Sequence, residues 1–265
     1  MNKKYTGLVV LNTLTFLLVL FVNYAASTRL LANVSVGDVA HKYNTLFAPA
    51  DYAFIIWIVI YVLCAGFVIY QWVLLKHDAK QYIKRTGIWF TVSNIANALW
   101  CYCWVNEWLG WSVMIILIQL FSLLILVVHL RLELDDEPVR TIFFVWWPIC
   151  FYTGWMITAT VACIASWLVY INWNGFGISA EVWTIIMIAI ACLIYAWLTQ
   201  KRNMREAASV GIWAFIAIAI KQWDAYKVIA LNAIIASVIL LILVSVHAYK
   251  GRYYAPFVKL QRGEW

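Results

Sequence analysis

Long apolar runs alternate with short clusters of charge along the whole chain. A membrane-spanning helix needs about 20 mostly apolar residues. The runs predict spans at about Gly7–Tyr24, Ala53–Leu75, Gly87–Trp108, Trp111–Leu130, Ile142–Val169, Val182–Leu198, Ser209–Ile220 and Val228–Ala248. The seventh run is short, so a seven-span chain with that segment lying flat is the competing layout. The longest connection runs from Ser27 to Ala50. Together the spans and their connections fill the 265 residues and leave no room for a soluble domain.

Composition narrows the class. Hydrophobic residues make up 66% of the chain and charged residues 12%, against roughly a quarter charged in an ordinary soluble domain. That excludes a soluble globular or a disordered chain. No ten-residue apolar/polar alternation recurs, which argues against an outer-membrane barrel. The reading is an all-α integral membrane protein, a bundle of about eight transmembrane helices.

Charge then sets the orientation. The net charge of +7 does not point to nucleic acid, because the basic residues sit in clusters between spans. With the N-terminus cytoplasmic, fifteen of the 19 basic residues fall on the cytoplasmic side, including Lys76, Lys80, Lys84 and Arg85. Only Arg29, Lys42, Lys221 and Lys227 lie opposite. This is the positive-inside pattern. It places both termini in the cytoplasm and suits a bacterial inner (plasma) membrane. The first run follows Lys3 and Lys4 like a signal peptide, but bulky Tyr24 interrupts the cleavage region Asn23-Tyr24-Ala25-Ala26-Ser27, so a retained helix is expected.

The predicted spans hold no Asp, Glu, Lys or Arg deep in the hydrocarbon, which speaks against a carboxylate-coupled pump and leaves no general acid or base there. Cys64, Cys101, Cys103, Cys150, Cys163 and Cys192 all fall inside spans. Cys101 and Cys103 point about 200° apart on a helix, and no spacing matches a metal or redox motif. The cysteines read as packing residues and no metal ligand is assigned. His77, His129 and His247 end spans; their plain reading is wet interfacial histidine, with haem ligation the remote alternative. Lys221, at the end of the seventh run, reads as a snorkelling lysine.

Seventeen Trp and 15 Tyr are more than two interfacial belts require. Several share helix faces at offsets of three and four: Trp57, Tyr61, Cys64 and Val68; Ser93, Asn97, Trp100 and Trp104; Pro148, Tyr152, Trp155 and Ala159. Asn97 needs a partner in hydrocarbon, so these faces should turn inward. They form either a solid aromatic core or an apolar pocket with a few polar groups, the usual make-up of a small-molecule site. The connection before the second span carries Tyr43, Phe47 and Pro49 and reads either as a lid or as a plain interfacial segment.

These residues resemble the TspO/MBR family, the tryptophan-rich sensory proteins related to the mitochondrial translocator protein. The family's Pro-Pro loop and its Trp and Tyr four residues apart are matched by Pro49, Trp57 and Tyr61, with Ala48 where the first proline would stand. A one-residue shift would match Tyr52 and Phe54 to the family's Trp and Phe instead. Asn97 and Trp100 match Asn-x-x-Trp, Gly110-Trp111 matches Gly-Trp, and Tyr152 and Trp155 match Tyr-x-x-Trp. Ile115 replaces a frequent acidic residue. Cys163, before Trp167, stands where the family has Asn.

The resemblance covers residues 1–172 and implies a five-helix transmembrane core around a pocket. Residues 173–265 add three helices and a short basic tail. By the same resemblance, Pro49, Trp57, Tyr61, Asn97, Trp100, Tyr152 and Trp155 are the ligand-binding candidates. The implied function is binding or sensing a hydrophobic small molecule, with a tetrapyrrole (porphyrin) as candidate guest and no required cofactor. A transporter of such a ligand is the alternative; an enzyme degrading it ranks last. The expected partners are that ligand and the bilayer, not nucleic acid. Small residues such as Ala159–Ala162 could also support a homodimer.

Overall fold

The computed structural model describes residues 3–76 and 81–265, apart from the side chain of Tyr254. The His77 and Lys80 readings lie outside the described residues. All regular structure among the described residues is helical.

The N-terminal part comprises α1 (Lys3–Ser27), the short α2 (Val36–Lys42), a 3-10 turn at Asp51–Ile55, α3 (Ile56–Leu74), α4 (Gln81–Thr86), α5 (Trp89–Val105) and α6 (Leu109–His129). Then come α7 (Val139–Thr141), a π turn at Ile142–Trp146 and α8 (Trp147–Tyr170), which run on as one helical rod. The C-terminal part holds α9 (Ala180–Arg202), α10 (Arg205–Gln222), α11 (Lys227–Lys250) and α12 (Pro256–Gln261).

Among the described residues, six helical segments are long and apolar enough to cross a membrane: Lys3–Ser27, Asp51–Leu74, Leu109–His129, Val139–Tyr170, Ala180–Arg202 and Lys227–Lys250. The other two long helices, α5 and α10, coincide with the third and seventh apolar runs. They carry more small and polar residues because they are enclosed by protein. α10 does not lie flat on the surface: it packs against α8, α9 and α11 and buries Ala207, Ala208, Val210, Gly211, Ala214, Phe215, Ala217 and Ile218.

The first five long helices close a ring. α1 packs on α5 and α3, α3 on α8, α8 on α6, and α6 on α5. α10 joins this ring to the added helices through α8, at a crossing that requires glycine. A Cβ on Gly154 would stand 2.8 Å from backbone atoms of Ala207, and one on Gly211 would stand 2.6 Å from the Tyr195 ring. Such small-residue crossings let helix backbones approach where no hydrophobic effect drives association. Tyr195 adds hydrogen bonds, donating to the Gly154 carbonyl at 2.6 Å with its oxygen 2.8 Å from Thr158 Oγ1.

The π turn has a local cause. Pro148 has no N–H for the carbonyl four residues back, and its ring crowds that carbonyl, so the helix opens just before it. The opening sets Trp146 and Trp147 on adjoining positions near the end of the rod.

Candidate functional site

Most of the predicted inward residues do face the interior. Tyr152 and Trp155 are each 2% exposed and Asn97 is 1% exposed, while Trp57, Tyr61 and Trp100 are half-buried. Trp57 gathers the α3 and α8 rings. It stacks on Tyr61 with centroids 5.3 Å apart and meets the edges of Tyr152 at 5.7 Å and Trp155 at 6.4 Å. Phe54, at the entry of α3, meets Trp155 edge-on at 5.7 Å. Each such pair adds about 0.5–1.5 kcal/mol beyond area burial.

A polar lining runs beside the rings. Gln119 of α6 donates to Tyr152 Oη at 2.7 Å. Tyr61 Oη, Ser93 Oγ and Gln119 Oε1 are buried with no hydrogen-bond partner. An unpaired polar group in a dry interior costs about 1–3 kcal/mol, so three on the inner faces of one ring need an explanation.

Asn97 and Trp100 are placed differently from the α3–α8 rings. Asn97 accepts from Asn23 Nδ2 of α1 at 2.6 Å, and Cys101 donates to Asn23 Oδ1 at 3.3 Å. Trp100 stacks on Trp104 at 5.2 Å and donates its indole N–H to Cys163 Sγ at 3.5 Å. Cys163 is therefore a hydrogen-bond acceptor tying α8 to α5. Tryptophan spacing alone missed a second polar seam. Asn12 donates to Gln71 Oε1 at 2.9 Å and accepts from Thr91 at 2.8 Å, while Asn94 donates to Thr15 Oγ1 at 3.3 Å. The available signal was the amide itself, since Asn or Gln within an apolar run must find a cross-helix partner.

The connection from Ser27 to Ala50 is built rather than slack. Ser35 caps α2 in a reciprocal box with Asp38. Trp104 donates to the Val36 carbonyl at 3.0 Å. Glu107, at the α5–α6 turn, accepts from Lys42 Nζ at 2.6 Å and Tyr43 Oη at 2.6 Å. These bonds hold the Glu107 carboxyl below its ordinary range and raise Lys42. Helix α10 grips the other end of the connection. Gln222 donates to the Leu46 carbonyl at 2.9 Å, Lys221 to Asn44 at 2.9 Å, and the Ala50 N–H to the Ala217 carbonyl at 3.2 Å. Lys221 thus binds the connection from a half-buried position. Pro49 is buried within this segment, one residue before the Ala50 bond.

A family model described as TSPO-like protein matches residues 9–246. The chain belongs to the TSPO-like family. It is an integral membrane protein with a helical bundle fold. The match to this TSPO-like model runs through α9, α10 and most of α11, so it takes in the added helices as well as the ring. Comparison with curated proteins and with solved structures gave no match.

In this TSPO-like chain two grooves open away from the aromatic cluster. One, of about 510 Å³, is lined by Glu107, Trp108, Leu109, Gly110, Trp111, Met114 and Tyr170. The other, of about 410 Å³, is lined by His41, Asn44, Ala50, Asp51 and Lys221. Gly110 and Trp111 border the first; none of the seven binding candidates lines either. Around Trp57 the rings fill space with one another, so a guest there must displace rings. Of the histidines, His129 is exposed, and His247 lies 3.0 Å from Asn203 Oδ1.

Proposed function

We propose that this TSPO-like protein binds a flat hydrophobic small molecule, a tetrapyrrole, inside the five-helix ring, and serves as its sensor in a bacterial inner membrane. The observation that supports this most directly is the set of buried polar atoms without partners, Tyr61 Oη, Ser93 Oγ and Gln119 Oε1, beside the Trp57, Tyr152 and Trp155 rings. A ligand pocket combines apolar walls with a few convergent polar groups. The guest inserts where Trp57 now stacks on Tyr61. Breaking that stack costs about 0.5–1.5 kcal/mol, little against the burial of a large aromatic molecule. The resident polar atoms then gain partners.

The test is titration of the purified chain in detergent with protoporphyrin IX, followed by tryptophan quenching. Trp57→Ala and Trp155→Ala are expected to weaken binding about tenfold or more, the loss of roughly 1.4 kcal/mol of stacking. Tyr61→Phe, which keeps the ring and removes the hydroxyl, should weaken it less. Unchanged quenching in both tryptophan variants would remove this site. Reconstituted vesicles loaded with the porphyrin separate binding from transport, since sensing predicts no flux.

A further inference from the structure

Where the added helices meet the ring, three side chains distant in sequence converge. Glu133 sits in the turn after α6, Cys150 in α8 and Glu206 in the first turn of α10. One ligand atom from each lies within 4.8 Å of the other two. We propose that Glu133, Cys150 and Glu206 form a three-ligand site for a divalent transition-metal ion, with zinc the best match to the donor set. This is independent of the porphyrin reading.

The burial is unusual for acidic groups. Cys150 is wholly buried. Both glutamates keep part of their surface, yet Glu133 Oε1 and Glu206 Oε2 are sealed from solvent and have no hydrogen-bond partner. Among the described residues, no basic nitrogen comes within 4.0 Å of either carboxylate. Arg202, Arg205 and Lys259 face the cluster from longer range. Arg202 donates to the Val127 carbonyl at 2.8 Å, and Lys259 is engaged by Asp136 and the Glu137 carbonyl. Burying a carboxylate without a close counter-charge costs several kcal/mol. A metal ion removes that penalty by supplying the missing charge.

The donor types narrow the ion. Thiolate with carboxylate suits borderline-soft zinc, whereas calcium and magnesium take all-oxygen shells. Ligand atoms around a tetrahedral zinc stand about 3.5 Å apart, so small rotamer shifts from the present spacing suffice. Three protein ligands leave a fourth position open.

The surroundings also fit. Trp147 lies beside Glu206 with its indole N–H unpartnered, and the Nε of Arg202 is likewise buried without a partner. Donors so placed are available to hydrogen-bond and orient metal-ligating carboxylates. The Glu133 backbone is fixed by Asn203, which donates to its carbonyl at 2.7 Å and contacts His247 of α11 at 3.0 Å. The site would therefore pin α6, α8 and α10 together at one corner.

The full-length chain in detergent, stripped with chelator, is titrated with Co²⁺ and then Zn²⁺. One Co²⁺ per chain is expected, with a sulfur-to-cobalt charge-transfer band that Zn²⁺ abolishes. Cys150→Ser should erase the band, and Glu133→Gln and Glu206→Gln should each weaken binding at least tenfold. Size-exclusion elution and helical circular dichroism report folding. If Cys150→Ser does not fold, the two glutamine variants carry the assignment. Wild-type protein that shows no saturable cobalt band overturns the proposal. A band unchanged in folded Cys150→Ser, or in both glutamine variants, overturns it equally.

Discussion

Gln119 of α6 and Tyr152 of α8 are joined by a hydrogen bond of 2.7 Å inside the ring, with Tyr152 as acceptor. Removing the acceptor strands a buried amide N–H. Tyr152→Phe is therefore expected to lower stability by about 1–3 kcal/mol. Gln119→Leu alone should cost less, because Gln119 Oε1 already lacks a partner. The double variant should recover part of the Tyr152→Phe loss, since replacing both partners by apolar groups leaves nothing stranded. Thermal melts of the four proteins in one detergent give the cycle, and strictly additive losses would contradict it.

The α8–α10 crossing predicts a contrast between two glycines. At Gly154 a methyl would meet Ala207 backbone, which cannot turn aside; at Gly66 it would meet the Phe144 ring at 3.2 Å, which can. Gly154→Ala should destabilise by about 1–3 kcal/mol through overpacking. Gly66→Ala should be nearly neutral, helped by the better helix propensity of alanine. Equal melting temperatures for the two variants would show that the crossing yields more than its geometry allows.

Six of the eight expected spans coincide with helices long and apolar enough to cross a membrane, and these were legible because bilayer thickness fixes the length of an apolar run. The inward turn of Asn97, Tyr152 and Trp155 was legible because amides and aromatic faces at helical spacing are poorly used against lipid. Other features were not. The grip of Gln222 on Leu46 joins segments 176 residues apart, and no local pattern encodes it. Glu133, Cys150 and Glu206 each look ordinary alone: two acidic residues near span ends and a cysteine with no motif spacing. Reading the cysteines as packing residues considered spacing along the chain, whereas this cluster is made by tertiary packing of three helices. The π turn was hidden for a different reason, since Pro148 inside an apolar run announces a break but not its form.

The Lys42–Glu107–Tyr43 clamp predicts a pH dependence. Its hydrogen bonds favour the ionised form of Glu107, whose folded pKa lies below the unfolded value. The unfolded chain then binds the proton more readily, so the contribution is fully present above the ordinary glutamate pKa and is lost as pH falls through the depressed folded value. Lys42 shifts the opposite way, so its share fades only at strongly alkaline pH. Hydrogen-exchange protection of residues 28–50, taken relative to the intrinsic rate at each pH, should be high at neutral pH and fall in acid. Glu107→Gln should produce the acid behaviour at neutral pH, with little change in global melting because the pair sits at the surface, partly exposed.

Trp213 of α10 donates its indole N–H to the Ala53 carbonyl at 3.0 Å and meets Tyr52 edge-on at 5.4 Å. It thereby holds the 3-10 turn that leads into α3 and Trp57. Trp213→Phe preserves an aromatic contact but removes the donor, at a cost of about 1 kcal/mol. Since α10 also grips Leu46 and Ala50, the loosening should spread along the connection and not through the helices. Hydrogen exchange in the unliganded variant should rise across residues 44–55 while α6 and α8 stay protected. Porphyrin association and dissociation should both accelerate, with affinity changed far less than in Trp57→Ala. A variant that binds more weakly with unchanged exchange would place Trp213 in the pocket wall instead of on the clamp.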